Sequence, residues 1–202
     1  MIHRSDLLQS TKFPFHIVNR GVNKGLIFFR PHDYEQFLWF LRDAKGKAPV
    51  TLLAFALMPN HFHLLLRQSE PYGISRFLKR VCEMHAKTVN RRRQRSGHLF
   101  QNRYRLSSLE SGHAVLSTSW YIHNNPVKAG LVQSADLWSY SSMKEYTSKA
   151  GSGLVDREEL LLLLAGYRDY FEYFRSFDPT APLLAALRTP RHQEGFPKST
   201  PT

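Results

Sequence analysis

The stretch Thr51-Leu52-Leu53-Ala54-Phe55-Ala56-Leu57-Met58-Pro59-Asn60-His61-Phe62-His63-Leu64-Leu65-Leu66-Arg67 decides the fold. Two apolar runs flank Pro59-Asn60, a pair that favours a turn because proline presets φ and asparagine bonds its own backbone. The runs therefore read as the two strands of a hairpin. Strands this apolar need cover on both faces, which predicts a central place in their sheet. Side chains alternate along the second strand. His61 and His63 thus leave one face, while Phe62, Leu64 and Leu66 enter the opposite layer.

Outward from the hairpin, Phe13 to Asn19 reads as a strand, closed by Arg20-Gly21 and a loop through Gly25. Asp33 to Lys47 carries Phe37, Leu38, Leu41 and Ala44 at helical spacing, with Asp33 as the expected cap. Residues 74–95 predict a long basic helix with Ile74, Phe77, Leu78, Val81, Cys82 and Met84 on one side, stopped by Gly97. Leu99 to Leu109 reads as extended. Ala114 to Asn124 predicts a helix that halts before Pro126, since a residue preceding proline avoids helical geometry. Asp156 to Phe177 predicts one or two further helices. The order is strand, helix, strand–turn–strand, long helix, short strand, helix. That is the split βαβ pattern of an α+β, ferredoxin-like (RRM-like) domain with a central antiparallel sheet. The expected organisation is a main domain over 1–148, a helical extension over 149–178 and a Pro-rich disordered tail over 179–202.

The 202 residues include 42% hydrophobic and 22% charged side chains, a composition that excludes wholesale disorder. A single cysteine, Cys82, excludes an intrachain disulfide and any cysteine-cluster zinc site. No apolar run approaches the ~20 residues of a membrane helix, and no secretory signal is visible at Met1 to Asp6, so a soluble cytoplasmic protein is expected. The formal net charge is +12, and it is concentrated: residues 76–105 hold ten Lys/Arg against one acidic residue, Glu83. Such a block predicts a polyanionic partner. No amphipathic anchor accompanies it, which argues against a membrane surface.

His61 and His63, about 6–7 Å apart on a pleated face, can grip one divalent ion. Two core or surface histidines would give the same pattern. Tyr121 and Asn125 lie four apart in Tyr121-Ile122-His123-Asn124-Asn125-Pro126, so they share a helix face. There the amide oxygen can complete a His/His/Asn shell beside a phenol. The alternatives are a packed aromatic and an asparagine at a helix end. Tyr104 and Tyr140 are rival nucleophiles, but neither has an amide four residues on. His16, His85, His98 and His123 read as structural or close to the partner.

Three blocks, Leu57 to Leu66, Gly97-His98-Leu99-Phe100-Gln101-Asn102-Arg103-Tyr104 and Tyr121 to Val132, resemble signatures of the single-tyrosine HUH transposases. Within that family the REP-associated tyrosine transposases are the most similar branch. Phe15 to Gly21 and Trp138-Ser139-Tyr140-Ser141-Ser142 resemble its opening and late blocks. The resemblance implies a DNA strand-transfer enzyme with Tyr121 as nucleophile and His61, His63 and Asn125 as ligands of Mg²⁺ or Mn²⁺. Trp120, Asn102 and Asn124 depart from the branch pattern, where Arg, Gly and Leu are common.

Tyrosine, with a free pKa of about 10, needs help to attack at neutral pH. Attack leaves a 5′-phosphotyrosine and a free 3′-hydroxyl, and the ester keeps the bond energy for rejoining strands without ATP. Lys79, Arg80, Lys87, Arg91, Arg92, Arg93 and Arg95 are expected to track phosphates. Phe100, Arg103, Tyr104 and Arg105 interleave rings with guanidinium groups as unstacked bases require, with Asn19 and Arg20 adding contacts. The expected partner is single-stranded or hairpin DNA at the bacterial nucleoid. A monomer is expected, with a homodimer as the alternative. The competing functions are a catalytically inactive hairpin-binding regulator and a zinc hydrolase, the latter lacking a third His or carboxylate near the pair.

Overall fold

In the computed structural model, Phe15–Arg20 (β1) lies between His61–Gln68 (β3) and Arg105–Ser108 (β4), and β3 pairs in turn with Val50–Met58 (β2). All three pairings are antiparallel, giving the order β2-β3-β1-β4. The structure describes residues 4–148, 152–164 and 170–176, so the expected tail over 179–202 lies outside the described residues. Helices Pro31–Lys45 (α2) and Gly73–Arg92 (α3) join the strands in the ferredoxin-like sequence, after a short Arg4–Gln9 helix (α1). The α+β expectation holds.

Registry divides the sheet into two faces. Asn19, Ile17 and Phe15 pair with Phe62, Leu64 and Leu66, so these six side chains share one face. Phe62 meets Phe37 of α2 with ring centroids 5.2 Å apart, and Phe37 meets His85 of α3 at 5.0 Å. The opposite face carries His16, Val18 and Arg20 beside Leu65, His63 and His61. It is covered by Gly112–Lys128 (α4), whose Tyr121 ring stands 5.6 Å from that of His63.

Several boundaries differ from expectation for identifiable reasons. β2 is an edge strand, yet its outer side is covered: Leu57 N–H donates to the Tyr140 carbonyl, the Trp138 indole donates to the Leu57 carbonyl, and Tyr146 donates to that of Leu53. A covered edge has the same apolar reading as a central strand. α2 begins at Pro31, a residue favoured at the first helical position, and Asp33 sits inside the first turn. Its carboxylate accepts the Phe29 N–H, of the residue before the N-cap, at 2.9 Å. α4 runs through Pro126 to Lys128 instead of halting before it. Beyond the proline the Asn125, Pro126 and Val127 carbonyls accept from Ala129, Leu131 and Gly130, so one missing N–H does not end the helix.

Met143–Thr147 (α5), Arg157–Leu161 (α6) and Tyr170–Ser176 (α7) complete the described helices. Tyr170 is fully buried and ties α7 to α4, donating to Ser119 Oγ at 2.9 Å while its hydroxyl lies 2.7 Å from His123 Nδ1. The Trp120 indole donates to the Phe174 carbonyl at 2.9 Å. Gly21 closes the other end of the sheet, where its N–H donates to the Asn60 carbonyl. A Cβ there would come within 2.1 Å of the Gly25 carbonyl oxygen, so no larger residue fits without moving the backbone.

Candidate active site

The alternation in β3 brings His61 and His63 together with ring centroids 5.0 Å apart. His63 is 4% exposed, and burial holds its pKa well below the usual imidazole range, aided by the neighbouring His16 and His61. Burial, with a contribution from Arg20, lowers His61 to about 4. Both rings are therefore neutral near pH 7, the form that offers a lone pair to a cation. His61 Nδ1 lies 2.6 Å from Asn60 Oδ1. A carbonyl oxygen only accepts, so Nδ1 carries the hydrogen and Nε2 keeps the lone pair.

Helix α4 presents Tyr121 to this pair. Its hydroxyl pKa is raised by burial, with the Asn125 side chain acting in the opposite direction. Asn125 Nδ2 donates to the Tyr121 carbonyl at 2.7 Å. One of its two amide hydrogens is thus committed to the helix, and Oδ1, which only accepts, is the atom that suits a cation. Among the described residues no three His, Cys, Asp or Glu side chains form a metal-holding cluster. A donor set of two neutral imidazoles and one amide oxygen fits a six-coordinate Mg²⁺ or Mn²⁺ that keeps positions for phosphate oxygens. It fits poorly a closed zinc site.

Two participants were not assigned to this site by sequence reading. His16 Nε2 lies 3.0 Å from His63 Nδ1, and its ring stands 6.0 Å from that of Tyr121. Lys128 Nζ is 5.1 Å from the Tyr121 ring centroid. The Lys128 signal was available, since residues seven apart fall on one helix stripe. His16 had none, because its partner is 47 positions away.

The basic residues divide between the two layers. Arg20 and Arg105 share the histidine face, through the pairs Arg20–His61 and Val18–Arg105. Lys79, Arg80, Lys87 and Arg91 are exposed on α3, which covers the other face. Arg80 bonds to Asp43 at 2.6 Å, and Arg92 bonds to Asp33 and, at 3.0 Å, to Gln36. Arg93 covers the Phe29 ring at 4.0 Å. With Arg30, Asp33 and Arg92 these two line a cavity of about 430 Å³ that includes neither Tyr121 nor the histidine pair. Arg95, just past α3, donates to the His98 carbonyl at 3.1 Å, and Arg103 is exposed in the segment leading to β4.

Two of the expected contact residues are engaged within the fold. Asn19 is 7% exposed on the α2/α3 face, where its Oδ1 accepts the Arg20 N–H. The Tyr104 ring is covered by Arg4, and its hydroxyl bonds to Ser75 at 2.9 Å, so it is occupied internally. His85 and His123 are fully buried in the core, while His98 is exposed.

The family model described as IS200-like transposase matches residues 9–125. No curated protein matches the chain. A solved structure of a REP-associated tyrosine transposase bound to a REP hairpin is similar at 13% identity. The match covers 79% of this chain and 92% of that one, with a TM-score of 0.62. At that identity the likeness is one of fold. A crystal structure assigned as a transposase of Deinococcus radiodurans R1 matches at 21% identity, covering 57% of this chain and 92% of that one. Its TM-score is 0.42, too low to carry an argument.

Proposed function

The chain belongs to the IS200-like transposase family, and on that premise we propose that it cleaves and rejoins single-stranded DNA with Tyr121 as nucleophile. The observation carrying this reading is the approach of the Tyr121 ring to His63, at 5.6 Å, within one chain and on the sheet face that also bears His61. His61 Nε2, His63 and Asn125 Oδ1 would hold a Mg²⁺ or Mn²⁺ ion. When bound, that ion supplies Lewis-acid polarisation of the scissile phosphate.

The protein's own residues do the rest. Tyr121 attacks phosphorus in line, forming the tyrosyl O–P bond as the bond to the 3′-oxygen breaks and leaves as a hydroxyl. Lys128, with Nζ 5.1 Å from the phenol ring centroid, places a positive charge beside the phosphate as it joins the tyrosine. Arg20 and Arg105 hold the strand's phosphates on the histidine face. Return attack by a 3′-hydroxyl on the phosphotyrosine reverses the bond exchange and joins strands. A single-stranded stretch is required because a half-buried phenol cannot reach phosphorus inside a duplex. The five sequence blocks, with the fold likeness to a REP-associated tyrosine transposase bound to a REP hairpin, support a hairpin-forming repeat as substrate. Residues 1–148 form the catalytic unit in this reading, and Tyr170 and Phe174 of α7 brace its tyrosine helix.

Incubation with Mn²⁺ and labelled single strands bearing a hairpin is expected to give a protein–DNA adduct on denaturing gels. Tyr121→Phe is expected to abolish it, and retention of the adduct by that variant refutes the nucleophile. Binding of the hairpin by wild-type protein without any cleavage would instead mark a regulator.

A further inference from the structure

His61 and His63 must each keep a lone pair on the nitrogen that meets a cation, and the structure gives each a different device. For His61 the device is Asn60, an obligate acceptor on Nδ1. For His63 the only ring nitrogen left for a cation is Nε2, because Nδ1 is engaged by His16 Nε2 at 3.0 Å. Two neutral imidazoles share one hydrogen in such a contact, and its owner decides what His63 can do. If His63 Nδ1–H donates, Nε2 carries a lone pair. If His16 Nε2–H donates, His63 is left with an N–H on Nε2 and is closed to metal.

We propose that His16 is a positioning residue that accepts the His63 Nδ1 hydrogen and so fixes His63 in its metal-binding tautomer. The inference rests on the metal-dependent reading above. The geometry adds to the hydrogen bond: the His16 and His63 rings are within 16° of parallel at 5.2 Å, and the His16 ring stands edge-on to Tyr121. One imidazole on the neighbouring strand therefore braces a ligand and the nucleophile together. Groups that orient a ligating histidine through its other nitrogen typically change metal affinity ~10–100-fold when removed.

The test is Mn²⁺ titration calorimetry on the full chain at fixed pH near 7.5, with ¹⁵N NMR of the His63 ring in the metal-free wild type. His16→Leu, which removes the acceptor, is expected to weaken Mn²⁺ binding by ~10–100-fold. His16→Gln, whose Oε1 can accept at the same place, is expected to stay within about threefold of wild type, because the hydrogen bond is kept. The NMR spectrum is expected to show a hydrogen on Nδ1 and a lone pair on Nε2. Unchanged Mn²⁺ affinity in His16→Leu, or a hydrogen on Nε2 in the wild type, overturns the role of His16 and leaves the metal reading standing. Failure of wild-type protein to bind Mn²⁺ overturns that reading and this proposal with it. The NMR arm decides the matter should His16→Leu not fold.

Discussion

Acidification should loosen helix α4, which carries Tyr121, through His123. The imidazole is fully buried on α4, with Nδ1 2.7 Å from Tyr170 Oη and Nε2 2.7 Å from Ser142 Oγ. Tyr170 gives its own hydrogen to Ser119, so it accepts from Nδ1–H, and Nε2 accepts from Ser142. Every position in this network is filled with the ring neutral, and none of these partners is a carboxylate. Burial accordingly lowers the pKa from 6.5 to about 3. A folded-state value below the unfolded one means stability is fully present above about pH 6.5 and lost as pH falls toward 3, because the unfolded chain takes up the proton first. At ~1.4 kcal/mol per pH unit, the loss from this one residue at pH 5 is about 2 kcal/mol. The assay is urea unfolding followed by far-UV circular dichroism at pH 7.5 and 5. His123→Gln does not titrate, so it is expected to begin less stable and to lose about 2 kcal/mol less than wild type between the two conditions. Equal losses in both proteins refute the assignment.

Replacing Arg20 or Arg105 by Ala should weaken single-strand binding and lower the salt dependence by about one ion each, measured by fluorescence anisotropy. Lys79→Ala and Lys87→Ala, on the other layer, should change it less, and the reverse ranking refutes the facing of the substrate. Tyr170→Ala is expected to cost about 3–5 kcal/mol in thermal or urea unfolding, as for a large buried aromatic. The Cys82 thiol, raised to about 12 by burial, should resist alkylation at pH 8 in the native protein and react on adding urea, followed by mass spectrometry. Gly21→Ala should destabilise measurably, because its Cβ meets backbone and not a side chain that can swing away.

The histidine pair and its facing were legible because alternation in a strand is local, and an intervening Phe62, Leu64 and Leu66 mark the other layer without ambiguity. The Tyr121–Asn125 relation was legible for the same reason, as a helical interval. Helix α4 was cut short because the rule for residues before proline describes a preference that tertiary packing overrides here. The basic run on α3 reads correctly as a cationic surface, yet nothing in the run itself says which side of the sheet it covers. That depends on the pairing of β1 with β3, a contact between segments far apart in the chain. The internal partners of Asn19 and Tyr104 were illegible on the same ground: their polar groups bond to neighbours that only the folded chain supplies. His16 belongs to this class too.

The bond from Trp120 to the Phe174 carbonyl joins positions 54 apart, and Tyr170 fills the space behind the same helix. During translation Tyr121 and both histidines leave the ribosome well before this buttress is made. A nascent or truncated chain would hold every reacting group and still lack the wedge that sets the tyrosine helix against the sheet. Under the proposed function, nicking competence is then expected to arrive late in synthesis, which separates making the phenol from arming it.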